Sequence, residues 1–220
     1  MKKLFTLLVA GSLCLGMGAQ NMVRLHRFDK ENAELPQNAK GRVVFMGDSI
    51  TESWAERAET GFFDNPQFVG RGISGEVTAQ MLLRFRKDVI ELHPKTVVIL
   101  GGCNDIALNQ GAYDEDYTMG NIISIVELAK AHKIRPVLCS VLPAAGFRWR
   151  PEVKDAPEKI ASLNARIEAY AKSHKVKFVN YYPAMLSDDG RSLRPELSPD
   201  GVHPNDEGYR IMEAIVIKSL

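Results

Sequence analysis

Short, largely apolar runs alternate along this chain with longer segments in which apolar residues recur every three or four positions. The runs at 42–46, 96–100 and 134–141 are near-continuous, the pattern of strands buried on both faces, and 67–69 and 176–180 read as shorter strands. Between them, Leu82, Phe85, Val89 and Leu92 predict a helix over 76–92 that stops at His93-Pro94. Ile122, Ile125, Val126 and Ala129 mark the next helix, and Ile160, Leu163, Ile167 and Tyr170 the one after. Gly208, Met212, Ile215 and Val216 line the inner face of the last. Residues 51–63 read as helix or loop, and the polar, Pro-containing stretch 21–41 as an irregular lead-in.

Strands alternating with helices predict an α/β domain, a parallel sheet covered on both faces, with functional residues at the carboxyl ends of the strands. After the N-terminus there are no repeats, low-complexity runs or linkers, so 20–220 reads as one domain, and 220 residues suffice for one sizeable core. Met1-Lys2-Lys3, the apolar run to Leu15 and the small residues ending at Ala19 have the three parts of a secretory leader, residues 1–19. The run is too short for a permanent membrane anchor, so the expectation is an exported chain, periplasmic or extracellular. Cys103 and Cys139 remain after cleavage, each at the end of a predicted strand, and are expected to be buried free thiols. Lys and Arg number 28 against 27 Asp and Glu, which leaves no electrostatic footprint for nucleic acid.

The chemistry concentrates in three stretches. Val43 to Met46 ends abruptly in Gly47-Asp48-Ser49, which places Ser49 on a strand-to-helix turn where a hydroxyl stands clear of the sheet edge. A Ser hydroxyl needs a base, and a His held in one tautomer by a carboxylate supplies it. Asp200 and His203, three apart around Gly201, have the spacing for that pair, and His203 alone of the five histidines lies in a loop able to return to the sheet edge. A developing oxyanion then needs donors, and three converge: the backbone N–H of Ser49, the backbone N–H of Gly75 and the side-chain amide of Asn104. Asp48 is expected to fix the nucleophile turn by hydrogen bonds and to border the substrate, without a catalytic role. The insertion 142–157, with Phe147-Arg148-Trp149-Arg150, follows the fourth strand and should rim the site. Arg148 and Trp149 there suit an anionic group and a sugar face.

Two rival readings fail on context. Gly70-Arg71-Gly72-Ile73-Ser74-Gly75 matches the G-x-G-x-x-G dinucleotide fingerprint, but it follows a short second strand, and no acidic residue ends the next one. Asp48, Asp105, Asp200 and His203 could cluster, but no second His comes with metal-ligand spacing.

Four blocks in order, Phe-Met-Gly-Asp-Ser-Ile-Thr-Glu, Gly-Ile-Ser-Gly-Glu-Val-Thr, Gly-Gly-Cys-Asn-Asp and Asp-Gly-Val-His-Pro, span residues 43–208 and resemble the SGNH (GDSL-type) hydrolase superfamily. The branch it looks most like is that of platelet-activating-factor acetylhydrolase and bacterial acyl-hydrolases. The four letters map onto Ser49, Gly75, Asn104 and His203. Gly70 stands where members often carry Asn, and Cys103 where Thr is common. The resemblance implies a flavodoxin-like three-layer α/β/α sandwich with a five-stranded parallel sheet, and ester or thioester hydrolysis without metal or cofactor. With export, and with no wide apolar lid in the sequence, the expected substrate is a short acyl ester, acetyl on carbohydrate. The alternatives are a lysophospholipase or thioesterase, and a non-catalytic carbohydrate-binding module. The sequence does not set the oligomeric state.

Overall fold

The computed structural model describes residues 24–36 and 39–220, so the leader expected over 1–19 lies outside the described residues. Five strands form where the chain is apolar: Val43–Gly47 (β1), Phe68–Gly72 (β2), Thr96–Leu100 (β3), Arg135–Cys139 (β4) and Lys177–Val179 (β5). All pair in parallel, in the order β2-β1-β3-β4-β5. The order reverses at β1, whose neighbours leave in opposite directions, and the crevice at the carboxyl ends of β1 and β3 is where such a sheet takes a ligand.

Successive strand residues point to opposite faces, and both faces are apolar. Val44, Met46, Val97, Ile99 and Leu138 pack against Thr78–Asp88 (α3), Glu115–Ala131 (α5) and Ala156–Ser173 (α6), through Met81, Phe85, Ile122, Ile125, Ile160 and Leu163. Val43, Phe45, Val98, Leu100 and Val137 pack against Ser49–Glu56 (α2) and Asp206–Val216 (α8) through Ile50, Trp54, Tyr209 and Met212. Trp54 lies edge-on to Phe45 and stacks on Phe62 and Tyr209, which joins α2, α8 and β1 in one aromatic cluster. The other α-helices among the described residues are short: Asp29–Glu34 (α1), Cys103–Ile106 (α4) and Tyr182–Met185 (α7). Cys103 and Cys139 are buried free thiols, and burial pushes the Cys139 thiol up to about 12.

Two elements differ from the sequence reading. The lead-in contains α1, which buries none of its residues and so carries no apolar stripe for a periodicity argument to find. β2 continues through Gly70, Arg71 and Gly72 rather than ending at Val69. A Cβ on Gly70 would lie 2.3 Å from Ala55 Cβ, and one on Gly72 would lie 2.1 Å from Glu52 N. The glycines that imitate a dinucleotide fingerprint therefore let α2 press directly onto the strand.

A buried arginine locks the carboxyl ends of the first two strands together. Arg84 on α3 is fully buried, and its Nη2 donates to Gly47 O at 2.9 Å and Arg71 O at 3.0 Å. Its Nε donates to Glu76 at 2.6 Å and its Nη1 to Asp88 at 3.1 Å. One side chain thus fixes the residue two places before Ser49 and the residue that follows Gly75.

Candidate active site

Gly47 ends β1 and Ser49 begins α2, so the nucleophile turn contains one residue, Asp48. Its carboxylate accepts the Ile50 N–H at 3.0 Å, an N-cap that satisfies an amide at the positive end of the helix. Asp48 is buried, and desolvation raises its pKa to about 6 against the opposing hydrogen bond from Ile50. Tyr209 on α8 donates to Ile50 O at 2.9 Å and holds the first turn of α2 from the other side.

The loop before α8 delivers the base. Ser49 Oγ lies 2.9 Å from His203 Nε2, and His203 Nδ1 lies 2.7 Å from Asp200 Oδ2. Asp200 Oδ1 accepts the backbone N–H groups of His203 at 2.8 Å and Val202 at 2.9 Å, and the Ser198 hydroxyl at 3.2 Å. Partial burial pushes the Asp200 pKa up, but the His203 N–H, the His203 ring and the Val202 N–H outweigh it and hold the carboxyl down at about 2. An ionised Asp200 keeps the proton on Nδ1, so Nε2 is the acceptor that faces the Ser49 hydroxyl. Gly201, at φ +81°, provides the left-handed turn that brings the carboxylate back to the ring.

The expected oxyanion donors lie beside this relay. Ser49, Gly75, Asn104, Asp200 and His203 all line one open cleft of about 470 Å³. Among the described residues, the Ser49 and Gly75 N–H groups donate to no protein acceptor. Gly75 sits at φ +79°, which turns its amide out of the chain direction. Asn104 is already held: its Nδ2 donates to Glu76 O at 3.0 Å and to Asp48 Oδ2 at 3.3 Å, and its Oδ1 accepts from Asn109. The 3.3 Å contact is the longer of the two Nδ2 bonds and the one an oxyanion can compete for.

The remaining candidates separate. Trp149 lines the cleft, 42% exposed, with its ring 6.2 Å from that of His203. Arg148 does not line it; its Nη2 donates to Pro199 O at 3.5 Å, against the backbone of the base loop. Asp48 lies beneath the cleft rather than on its wall. Four residues that the sequence does not mark as part of the site also line it: Ser53, Arg57, Ser74 and Asn109. Ser53 and Arg57 follow Ser49 by four and eight positions on α2, a spacing that was available as a signal. Asn109 had none, because it reaches the cleft only through the turn after α4. A second hollow, about 390 Å³ and lined in part by Leu83, Tyr113 and Tyr117, shares no residue with this cleft. Among the described residues no three His, Cys, Asp or Glu side chains are grouped as metal ligands, and no helix is long and apolar enough to cross a membrane.

Comparison with known proteins agrees with this fold. The model for the GDSL-like Lipase/Acylhydrolase family matches residues 45–211. The chain is 56% identical to a GDSL-like lipase from Bacteroides thetaiotaomicron VPI-5482, whose structure superposes with a TM-score of 0.87 over 90% of this chain and 97% of that one. A catalytic mutant of an acetylxylan esterase from Geobacillus stearothermophilus shares the fold at 18% identity and a TM-score of 0.65, covering 82% of this chain and 94% of that one. The uncharacterized lipoprotein YqeF of Bacillus subtilis (strain 168) is 25% identical over 210 residues, 77% of this chain and 85% of its own length.

Proposed function

The chain belongs to the GDSL-like lipase/acylhydrolase family and is an ester-bond hydrolase, and on that premise we propose that it is an exported serine esterase removing short acyl groups, acetyl above all, from carbohydrate. The observation that carries this reading is the unbroken relay from Ser49 Oγ through His203 to Asp200, at 2.9 and 2.7 Å, opening into a cleft with two unengaged backbone donors.

In this reading Ser49 Oγ attacks the acyl carbonyl while His203 Nε2 takes its proton, and Asp200 stabilises the resulting imidazolium. The oxyanion of the tetrahedral intermediate accepts from the Ser49 and Gly75 N–H groups and from Asn104 Nδ2, which shifts off Asp48. His203 then protonates the leaving sugar oxygen, leaving an acyl-serine. Water, deprotonated by the same ring, attacks that ester and releases the acid.

The preference for a short acyl group follows from the cleft wall, where Ser53, Ser74, Asn109 and Arg57 surround the nucleophile. Each buried methylene is worth about 0.8 kcal/mol only where apolar surface receives it, and apart from Trp149 and Gly75 the residues lining this cleft carry polar side chains. Trp149 offers the one broad aromatic face, suited to a sugar ring. Export is supported by the leader pattern over 1–19 and by the similarity to a lipoprotein.

The test is acetate release from acetylated xylooligosaccharides, compared with fatty-acid release from a lysophospholipid. Acetate released with kcat/KM at least tenfold higher supports the reading. Faster release of the fatty acid would move the enzyme to lipid.

A further inference from the structure

We propose that Arg57 is an anion subsite of the cleft, and that the physiological ester is an acetyl group carried on an acidic sugar whose carboxylate pairs with this guanidinium. The proposal rests on the esterase reading and goes past it by naming the charge of the substrate.

Position comes first. Ser49, Ser53 and Arg57 are spaced at four-residue intervals from the start of α2 to its C-cap and form one stripe. The rise along α2 puts the Arg57 backbone ~12 Å from that of Ser49. As the C-cap of α2, at φ −130°, Arg57 closes that stripe at the end of the helix. It lines the same cleft as Ser49, His203 and Trp149.

Its lack of a partner is the second observation. Among the described residues the Arg57 side chain makes no ion pair and no hydrogen bond, and of the described arginines only Arg86 shares that state, away from the cleft. Two of the acidic side chains next to it in sequence are engaged elsewhere, Glu56 with Arg27 at 2.5 Å and Glu52 with the Ser74 hydroxyl. Asp200, which lines the same cleft, is engaged by His203, Val202 and Ser198. Arg57 therefore lines the cleft with a charged side chain that no protein acceptor engages among the described residues.

Chemistry selects the ligand. The planar fork of arginine matches a carboxylate in two parallel hydrogen bonds, and a charge-assisted pair of this kind is stronger than a neutral one. A sugar ring on the Trp149 face, an acetyl ester at Ser49 and a ring carboxylate at Arg57 would occupy three walls of one cleft. The arginines flanking Trp149 do not compete for this role, since Arg148 is turned to Pro199 O and Arg150 lies 3.8 Å from Glu152.

The experiment compares acetate release by the intact chain from an O-acetylated galacturonate oligomer and from the same oligomer with its carboxylates converted to carboxamides. The expected result is a kcat/KM about 10- to 100-fold higher for the carboxylate form, carried mainly by KM and diminishing as salt is raised. Arg57→Gln should erase the difference between the two substrates, and Arg57→Lys should restore part of it. Equal kcat/KM on the two oligomers, or a preference that survives in Arg57→Gln, overturns the proposal. So does faster turnover of an acetylated galactose 6-sulfate than of the galacturonate. Hydrolysis of p-nitrophenyl acetate by the wild-type chain reports the esterase reading separately. Activity there with none on either oligomer overturns the acidic-sugar subsite alone, and no activity on any ester overturns both.

Discussion

The side-chain amide of Asn109 donates to Asn104 Oδ1 at 2.8 Å, so the orientation of one expected oxyanion donor is set by a residue five positions further along the chain. The same Nδ2 lies 3.4 Å from Gly75 O, and Asn109 Oδ1 accepts the Trp149 indole N–H at 3.0 Å. Asn109 thus joins two oxyanion donors to the aromatic wall.

Asn109 should act as a positioning residue. In Asn109→Asp the carboxylate still accepts from Trp149 but cannot donate to Asn104, and two acceptors then face each other. We expect kcat on p-nitrophenyl acetate to fall roughly 10- to 100-fold, less than outright loss of an oxyanion donor, with KM changed far less. Steady-state kinetics beside a thermal melt check this. A rise in KM with kcat unchanged would show that Asn109 only shapes the binding wall.

Arg84 should matter for stability before chemistry. Arg84→Met removes the countercharge of Glu76 and Asp88 while all three side chains are almost wholly buried. Stranding buried carboxylates in this way costs about 3–5 kcal/mol, measurable by urea unfolding. A loss under about 1 kcal/mol would mean that water reaches the cluster.

Asp48 predicts a pH signature. Its folded pKa is raised from 3.8 to about 6, so the native state binds the extra proton across that window. The stability this contributes is fully present below pH 3.8 and is lost as pH rises through 6. The difference in unfolding free energy, Asp48→Asn minus wild type, should therefore climb by about 3 kcal/mol between pH 3.5 and 6.5, on the order of two pKa units, and then stay flat. Denaturant titrations across that range test it, and a difference constant with pH would contradict it.

The fold was legible because strands buried on both faces are written as unbroken apolar runs, as at Val43–Gly47 and Thr96–Leu100. It faded where another constraint overrode hydropathy. Gly70 and Gly72 interrupt the apolar run of β2 because α2 needs the space, although the backbone pairs on regardless. In the site, Asp200 and His203 were legible because their pairing is local, three residues around one turn. The spacing of Arg57 from Ser49 is visible in the sequence, but the Arg148–Arg150 loop carries an equally visible cluster of charge. What sets Arg57 apart is that its side chain has no partner among the described residues, which only the packed chain displays.

The most direct measurement is hydrolysis of p-nitrophenyl acetate, butyrate and octanoate by wild type and Ser49→Ala, with folding of both checked by circular dichroism. The account predicts that kcat/KM falls steeply with chain length in the wild type. It also predicts that turnover in the folded variant drops by about a millionfold, to background, as loss of a triad nucleophile does. Ester hydrolysis retained by folded Ser49→Ala would contradict the assignment of Ser49 as nucleophile, and a rise with chain length would contradict the short-acyl cleft.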